Sequence, residues 1–421
     1  MEVLDRQSAS QVNWELKGNF LLNQDSRHRA LDFLENTDFP TTRTEAWKYT
    51  RVAKIKNAVF TDSSTQAVSG DFGLSQSSLK FVFVNGRFAP ELSASIYPEG
   101  TKIQALSTMD HAEQQVIGMG EESFKSVFHA FNTAYATDGL YVHVSAKVQV
   151  AQSIEIIHIQ TGDQVVGHLR HVIAAEAFSK AHVVQHFLSV DAKACFTNAI
   201  STIRVGKNAH LTIDKVQEED ASSFAIVGEN VEQDADSTFT INTITLDGGL
   251  VRNDLVIAVA GSNCNTNLNG AYILRDSQHV DNHTTVDHLV AHCESNELYK
   301  GVIDGKATAV FNGKVFVRPN AQKINAFQSN GNVLMSDDAT VNSKPELEIY
   351  ADDVKCSHGS TTGQLDEEAV FYLRARGIGE KAARQLMVGA FIGDVLEKIE
   401  NEAVLDHIHQ EIAKRFGWVI A

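Results

Sequence analysis

The segment from Thr238 to Gly270, TFTINTITLDGGLVRNDLVIAVAGSNCNTNLNG, contains the pattern that decides the fold. Its short apolar runs, TFTINTITL and LVIAVA, are separated by turns rich in glycine, asparagine and aspartate. Short runs of β-branched and other apolar residues between such turns are typical of β-strands. The segment therefore predicts strand after strand, without an intervening helix.

The same pattern extends along the chain on both sides of this segment. From Leu140 the apolar residues recur with a period of two, and similar short runs follow as IEIIHI, HVIAAEAF and HLTIDKV. So many short strands predict a sandwich, a barrel or a β-helix. The quoted segment also contains an alternating asparagine series, Asn263, Asn265, Asn267 and Asn269. Amides on one strand face can stack on those of adjacent coils, which favours the β-helix over the sandwich.

Helical periodicity is found before and after the strand region. Before it, four aromatic and aliphatic residues have the spacing of an amphipathic helix and are interpreted as core: Phe124, Val127, Phe128 and Phe131. The chain thus divides into a mixed, partly helical region at 1–138, a β core at 139–364 and a helical region at 365–421.

The C-terminal region has its own helix signals. Asp366 can cap a helix that begins with two glutamates, and Gly377 can end it before a second, longer helix. The apolar face predicted for that longer helix consists of Leu386, Ala390, Phe391, Val395 and Ile399.

Composition excludes several classes of protein. With 43% hydrophobic and 21% charged residues the chain should fold as an ordinary globular protein. Its net charge of -17 would repel a phosphate backbone, so nucleic acid is not an expected partner. No apolar run approaches the length of a membrane span, and the acidic start, MEVLDRQ, does not resemble an export signal. We therefore expect a cytoplasmic protein without membrane partners.

Common enzyme motifs are absent or incomplete. GIGEKA, from Gly377 to Ala382, lacks the following strand of a dinucleotide site, and GVIDGKA lacks the hydroxyl residue of a phosphate loop. The chain has neither a G-x-S-x-G elbow nor an H-E-x-x-H zinc helix. Its four cysteines include no C-x-x-C pair, so neither a disulfide framework nor a local zinc knuckle is predicted.

Two segments carry candidate metal ligands. The first, HVDNHTTVDHLVAHC, contains four histidines and one cysteine between His279 and Cys293. In an extended chain His288 and His292 would share one face and His283 and Cys293 the other, so three ligands would not converge. We favour structural roles for these residues, with a zinc or iron site as the alternative.

The second segment is VKCSHGST, in which Cys356 and His358 are two positions apart. In an extended strand they lie on the same face, at the end of the strand region. Thiolate is the usual ligand of iron–sulfur clusters, and imidazole replaces it in some centres. A cysteine can equally be a small packing residue, so the pair alone leaves both interpretations open.

Several longer stretches resemble the SufB/SufD family of iron–sulfur cluster assembly proteins. They are PELEIYADDVKCSHGSTTGQLDEEAVFYLRARGIGEKAARQLMVGAF, QHVDNHTTVDH, SNELYKGVIDGKATAVFNGK and EAWKYT. The resemblance spans the chain from about Glu45 to Lys398. The motif Cys-Ser-His-Gly at Cys356–Gly359 is similar to the SufD branch, because SufB chains are longer and have an acidic residue where His358 stands here.

This resemblance implies a right-handed parallel β-helix flanked by helical regions. It implies a scaffold without catalytic activity of its own, a heterodimer with SufB, and docking of the ATPase SufC on the C-terminal helices, where Arg384 and Lys398 are candidate contacts. It also implies that His358, with Cys356 as a candidate second ligand, contributes to a transient iron–sulfur cluster shared with SufB. Reduced FAD is a further expected component of the complex.

Two other functions are compatible with a β-helix. One is a carbohydrate-active enzyme with paired carboxylates, such as Asp352 and Asp353 or Glu346 and Glu348, although such enzymes are commonly exported. The other is a binding protein that forms a homodimer in isolation and has no metal role.

Overall fold

The computed structural model describes residues 8–62, 68–116, 124 and 126–417. Its core is a parallel β-solenoid of about eight turns, and helices precede and follow the solenoid in the chain. The predicted mainly-β fold, with a β-helix between helical regions, is confirmed.

Each turn of the solenoid contributes one strand to each of two sheets. Sheet A has ten strands: β1 (Leu79–Val84), β2 (Arg87–Phe88), β5 (Ile154–Asp163), β7 (Lys180–Lys193), β9 (His210–Glu218), β11 (Thr238–Asp247), β13 (Asn265–Leu274), β15 (Glu294–Ile303), β17 (Asn325–Leu334) and β19 (Lys355–Gly363). Sheet B has nine strands: β3 (Thr101–Ala105), β4 (Leu140–Val144), β6 (Val166–Ala175), β8 (Phe196–Val205), β10 (Phe224–Gln233), β12 (Leu250–Val259), β14 (His279–His288), β16 (Thr308–Val317) and β18 (Thr340–Ile349).

Seven α-helices lie in the described parts of the chain. They are α1 (Gln24–Asn36), α2 (Ala53–Asn57), α3 (His111–Val116), α4 (Val127–Tyr135), α5 (Glu367–Ala375), α6 (Glu380–Leu396) and α7 (Glu402–Phe416). Of these described helices, none combines the length and the apolar character needed to span a bilayer.

Stacked side chains between the two sheets explain why the coils hold their register. One such row in sheet A, the inner column, consists of Ile154, Val183, Ile213, Ile241, Leu268, Glu297, Gln328 and His358. Its first five members are fully buried, and full burial of such a side chain stabilises the fold by about 1.5–3 kcal/mol. A slip of one residue would turn this column outward, so the register is strongly specified.

The solenoid is closed at its N-terminal end. There β1 pairs in parallel with β5, but β2 and β3 run antiparallel to β1 and β4. These strands belong to the region predicted as mixed, and they end the parallel stacking. Helix α4 covers the outer face of sheet B and α1 packs on α4; Phe128 and Phe131 of α4 join a cluster with Phe196 and Ile226. The aromatic residues of α4 are therefore core residues, as predicted.

The C-terminal helices cover the outer face of sheet A. Asp366 caps α5 by accepting hydrogen bonds from two backbone N–H groups, and Gly377 has a φ of 90° directly after that helix, as its sequence position predicted. Helix α6 packs on the sheet through Val388, Ile392 and Val395.

The apolar face predicted for α6 is partly wrong. Leu386 is 43% exposed and Ala390 is exposed, whereas Val388 and Ile392 are buried. The helix is apolar around much of its circumference, so periodicity alone did not identify the stripe that faces the sheet.

Candidate functional site

The C-terminal end of the solenoid, formed by β18 and β19, is open. Within the described residues, β18 pairs in its sheet only with β16, and β19 pairs in its sheet only with β17. All residues of β19 are exposed except Cys356, which is half-buried. An edge strand presents unpaired N–H and C=O groups that can pair with another chain. The open end, defined by β18 and β19, is therefore a surface suited to a partner protein.

His358 is the last member of the inner column and lies at the open end. Its register partner on β17 is Gln328, whose own partner on β15 is Glu297. The column is apolar from Ile154 to Leu268 and polar in its last three positions. His358 is exposed, whereas Gln328 and Glu297 behind it are buried. The change to polar residues therefore starts two coils before the surface.

The two buried residues behind His358 form a hydrogen-bonded unit. Thr284 Oγ1 donates to Glu297 Oε1 at 2.5 Å, and Gln328 Nε2 donates to Glu297 Oε2 at 2.6 Å. Burial raises the pKa of Glu297 to about 7 despite these hydrogen bonds. Gln328 Oε1 is buried and has no hydrogen-bond partner among the described residues. His358 is thus backed by a carboxyl group that titrates near neutral pH and by an amide with a spare acceptor.

Cys356 lies two positions before His358 on β19, and so on the same face of the strand. It pairs with Ala326 and packs against the main hydrophobic core. Burial raises the pKa of the Cys356 thiol, which favours the protonated form over the thiolate that binds metals. In the isolated chain Cys356 therefore has the character of a packing residue.

The histidines between His279 and His288 have separate structural contacts. His279 Nε2 is 2.9 Å from Thr50 Oγ1, and His283 Nε2 is 2.9 Å from Asp281 Oδ1. These three histidines do not form a metal-ligand group in the described structure, because His288 points to a different partner, Ser295 Oγ, at 3.0 Å.

The strand faces predicted for His292 and Cys293 assumed an extended chain, and this assumption is wrong beyond His288. Strand β14 ends at His288, and His292 has a φ of 64° in the corner that follows. The chain is not extended there, so alternation does not apply beyond the strand. Cys293 is buried and its Sγ donates to the carbonyl oxygen of Gly261 at 3.3 Å.

The EAWKYT motif fastens the N-terminal region to sheet B. Arg252 of β12 donates from Nη1 to the Ala46 carbonyl oxygen at 2.7 Å, and its Cζ lies 3.9 Å from the Trp47 ring centroid. Arg252 also binds Asp281 of β14 at 2.8 Å, and Thr50 Oγ1 donates to the same carboxylate at 2.5 Å. Two of the stretches that resemble the family therefore contact each other.

The two candidate contacts on the C-terminal helices are differently placed. Arg384 is engaged within the helical region, at 2.9 Å from Glu367 and 3.3 Å from Glu380. Lys398 is exposed and lines an open groove between the end of α6 and sheet A, which extends to Phe327 and reaches β19. Lys398 is thus the freer of the two cations.

Three large apolar side chains on the packed pair of helices α5 and α6 are exposed, and the sequence did not indicate them together. They are Phe371 (71%), Tyr372 (56%) and Leu386 (43%). Exposed large apolar side chains are candidates for a protein contact. The segment was recognised as helical, but only the packing on sheet A shows which face remains outside.

Glu297 and Gln328 were also missed, although both lie in stretches with a clear strand pattern. Their hydrogen bond joins residues 31 positions apart, and the length of each coil varies. The alternation shows that both side chains face inward. It does not show that they lie side by side, because this depends on the register of two coils.

Comparison with known proteins places this geometry in a family. The family model described as "SUF system FeS cluster assembly, SufBD core domain" matches residues 158–391. The family model described as "SufBD protein N-terminal region" matches residues 17–156. The iron–sulfur cluster assembly protein SufD of Escherichia coli is 30% identical over 96% of this chain and 95% of its own length. A SufBD family iron–sulfur cluster assembly protein of Synechocystis is 30% identical over 92% of this chain and 90% of its own length.

The matches include the open end, the inner column and the EAWKYT contact. The resemblance seen in the sequence is confirmed. The chain belongs to the SufB/SufD family of iron–sulfur cluster assembly proteins and, within it, is similar to SufD.

Proposed function

We propose that this chain is the scaffold subunit of a SufBCD complex, in which its open end pairs with SufB and presents His358 to a nascent iron–sulfur cluster. The observation that carries the proposal is an exposed imidazole on an edge strand whose outer side is unpaired. The cluster is the cargo of this site and would be shared with SufB. We place the complex in the cytoplasm.

His358 would act through ligation. Neutral imidazole binds iron through one ring nitrogen, and a ligand at a subunit boundary can be offered and withdrawn as the partner moves. Glu297 and Gln328 would position the inner face of β17 behind it. Cys356 is the candidate second ligand, and it would have to leave its packing site and lose its proton first.

SufC would dock on the C-terminal helices and supply ATP hydrolysis, so that this chain needs no catalytic residues. The exposed side chains of Phe371, Tyr372 and Leu386 support this assignment, and Lys398, which follows the end of α6, is a candidate polar contact. Arg384 would contribute indirectly, because its ion pairs join α5 to α6. Recovery of normal amounts of SufC by a chain ending at Gln364 would contradict this docking site.

Reduced FAD is proposed for the complex and is not assigned to residues of this chain. The cavity between the EAWKYT motif, α4 and sheet B has a volume of about 240 Å³, below the roughly 300–1,000 Å³ of usual ligand pockets, whereas the open groove lined by Lys398 has about 700 Å³. Volume alone does not identify a flavin site, so we derive no step through a flavin.

The central test is the His358→Ala variant, co-expressed with SufB and SufC and purified without oxygen. We expect a complex of normal size on gel filtration with severely reduced iron and sulfide content, because the exposed side chain contributes little to folding. His210→Ala is the matched control: this exposed histidine lies on β9 of the same sheet, with four strands between it and β19. Normal cluster content in the His358→Ala complex would refute the assigned role.

A homodimer is the competing assignment for the open end. In that case the chain purified alone would form a dimer that SufB does not dissociate. Exchange of the homodimer for a heterodimer on addition of SufB would support the proposed complex instead.

A further inference from the structure

Three potential metal ligands converge on the outer face of sheet A, away from the open end. His186 Nε2 lies 2.7 Å from Glu218 Oε1, and His407 Nε2 lies 3.1 Å from the same oxygen. All three ligand atoms are within 4.8 Å of one another, and no other group of three histidine, cysteine or carboxylate side chains in the described chain meets this distance. The sequence did not indicate the group, because its members are far apart in the chain.

The structure holds these residues in place from two sides. His186 and Glu218 lie on neighbouring strands, β7 and β9, and His407 lies on α7, which covers them. Helix α7 packs on sheet A through Ile408 and Ile412. Its N-cap, Asn401, also donates a hydrogen bond to Ser153 at 2.9 Å. Contacts before and after His407 in α7 therefore fix its position on the sheet, independently of the three ligands.

The three donor atoms are a set that metals of one class prefer. Two imidazole nitrogens with one carboxylate oxygen occur in catalytic zinc sites and in non-haem iron(II) sites, where further positions are left open to water. The ligand bonds in such sites are about 2.0–2.2 Å, so donor atoms around one ion lie only a few ångströms apart. The separations of 2.7 and 3.1 Å between the imidazole nitrogens and the carboxylate oxygen are of this size.

The charge around the group does not oppose a cation. Glu218 Oε1 lies within hydrogen-bond distance of both Nε2 atoms, so the carboxylate brings its negative charge to the centre of the group. Arg415 lies 3.6 Å from Glu218 Oε2 and is also paired with Asp247 and, at 2.9 Å, with Glu411. Asp247 lies 4.0 Å from Arg275 and Glu411 lies 3.1 Å from Lys414, so three cations face three carboxylates and neither charge is in excess.

We propose that His186, Glu218 and His407 bind one divalent transition-metal ion, zinc or iron(II), which fixes α7 on sheet A. The ion is bound by this chain alone and does not depend on the cluster at the open end. Binding also requires that both Nε2 atoms carry no proton, so affinity falls as the pH is lowered.

The test uses the full chain, freed of metal by a chelator and titrated separately with Zn²⁺ and, without oxygen, with Fe²⁺. We expect one ion per chain and a rise in the melting temperature on binding, because a ligand specific for the native state stabilises it. His407→Ala should weaken binding roughly 100-fold or more, since loss of groups that only support ligands already costs roughly 10–100-fold. His409→Ala, on the same helix, is the matched control and should bind as the wild type does.

Each outcome decides the proposal. If the chain binds one of the two metals more tightly, that metal is identified as the ion. If His407→Ala binds each metal as tightly as the wild type does, the proposed site is wrong. If His407→Ala does not fold, X-ray absorption of the metal-loaded wild type replaces it. Two imidazole ligands support the assignment, and sulfur ligands overturn it because they would place the ion at a cysteine. Cluster yield is not used, so failure here leaves the role of His358 unaffected.

Discussion

The two ends of the solenoid differ in how the last coil is covered. At the closed end, antiparallel strands β2 and β3 end the stacking, and Phe83 of β1 is fully buried against Phe88 and the neighbouring coil. At the open end, no further strand follows β18 and β19 in the part of the chain that the structure describes, and His358 is exposed.

This difference shows that one row of side chains changes from apolar and buried at one end to polar and exposed at the other. The inner column begins with Ile154, which is fully buried, and ends with His358, which is exposed. An apolar residue at the last position would be exposed in the free chain, and the polar series Glu297, Gln328 and His358 avoids this exposure. The proposed contact with SufB uses this polar end.

Matched phenylalanine substitutions test the difference in stability most strongly. Phe83→Ala, at the closed end, should lower the free energy of unfolding by about 3–5 kcal/mol, because it removes a fully buried ring. Phe327→Ala, near the open end, should change it by about 0.5 kcal/mol, because the ring is 45% exposed. Urea denaturation measures both free energies, provided that the dependence of the unfolding free energy on urea concentration is the same in both variants and the wild type. Equal losses would show that the two ends are equally packed.

The pH dependence of stability compares two buried carboxyl groups. Burial raises the pKa of Glu219, in the middle of the solenoid, to about 8 and that of Glu297, nearer the open end, to about 7, from an ordinary value of 4.5. The native state therefore holds a proton that the unfolded chain has released, and stability falls as the pH rises from about 4.5 to 7 or 8.

Between pH 5 and 7 the free energy of unfolding of Glu297→Gln should fall less than that of the wild type, by up to about 3 kcal/mol. For Glu219→Gln the difference from the wild type should be somewhat larger and should continue up to about pH 8. Unfolding free energies of both variants and of the wild type across that range are the measurement. A variant whose stability falls as steeply as that of the wild type would show that its carboxyl group titrates normally.

The last two members of the inner column should differ in their contributions to stability. Gln328→Ala should cost about 1–3 kcal/mol, because Glu297 loses a buried hydrogen-bond donor. His358→Ala should cost about 0.5 kcal/mol or less. Thermal unfolding of the free chain distinguishes them, and a larger loss for His358 would place it in the core.

Much of the fold could be predicted because it depends on local pattern. The alternation from Leu140 onward reflects burial between two sheets, and Asp366 and Gly377 mark the ends of α5 through their own backbone requirements. The antiparallel strands of the closed end were not predicted individually. Strand β2 has two residues, too few for a periodicity to be visible.

The candidate site was only partly accessible for a different reason. His358 and Cys356 could be singled out because they are two positions apart on one strand. Glu297 and Gln328, and likewise His186 and His407, meet only when coils or a helix are packed together. The number of residues between two such partners depends on the lengths of the intervening turns, and the identity of a single residue does not reveal these lengths.

The contact between Ala46 and Arg252 has a consequence for synthesis in the cell. The two residues are 206 positions apart, so the N-terminal motif leaves the ribosome long before its partner exists. At about 5–20 residues per second, the delay is roughly 10–40 s. During this time Trp47 and the apolar residues beside it have no docking surface on β12. The early coils can assemble in sequence, but the N-terminal region has to wait for them, and it is the segment for which a chaperone would have the longest opportunity to bind.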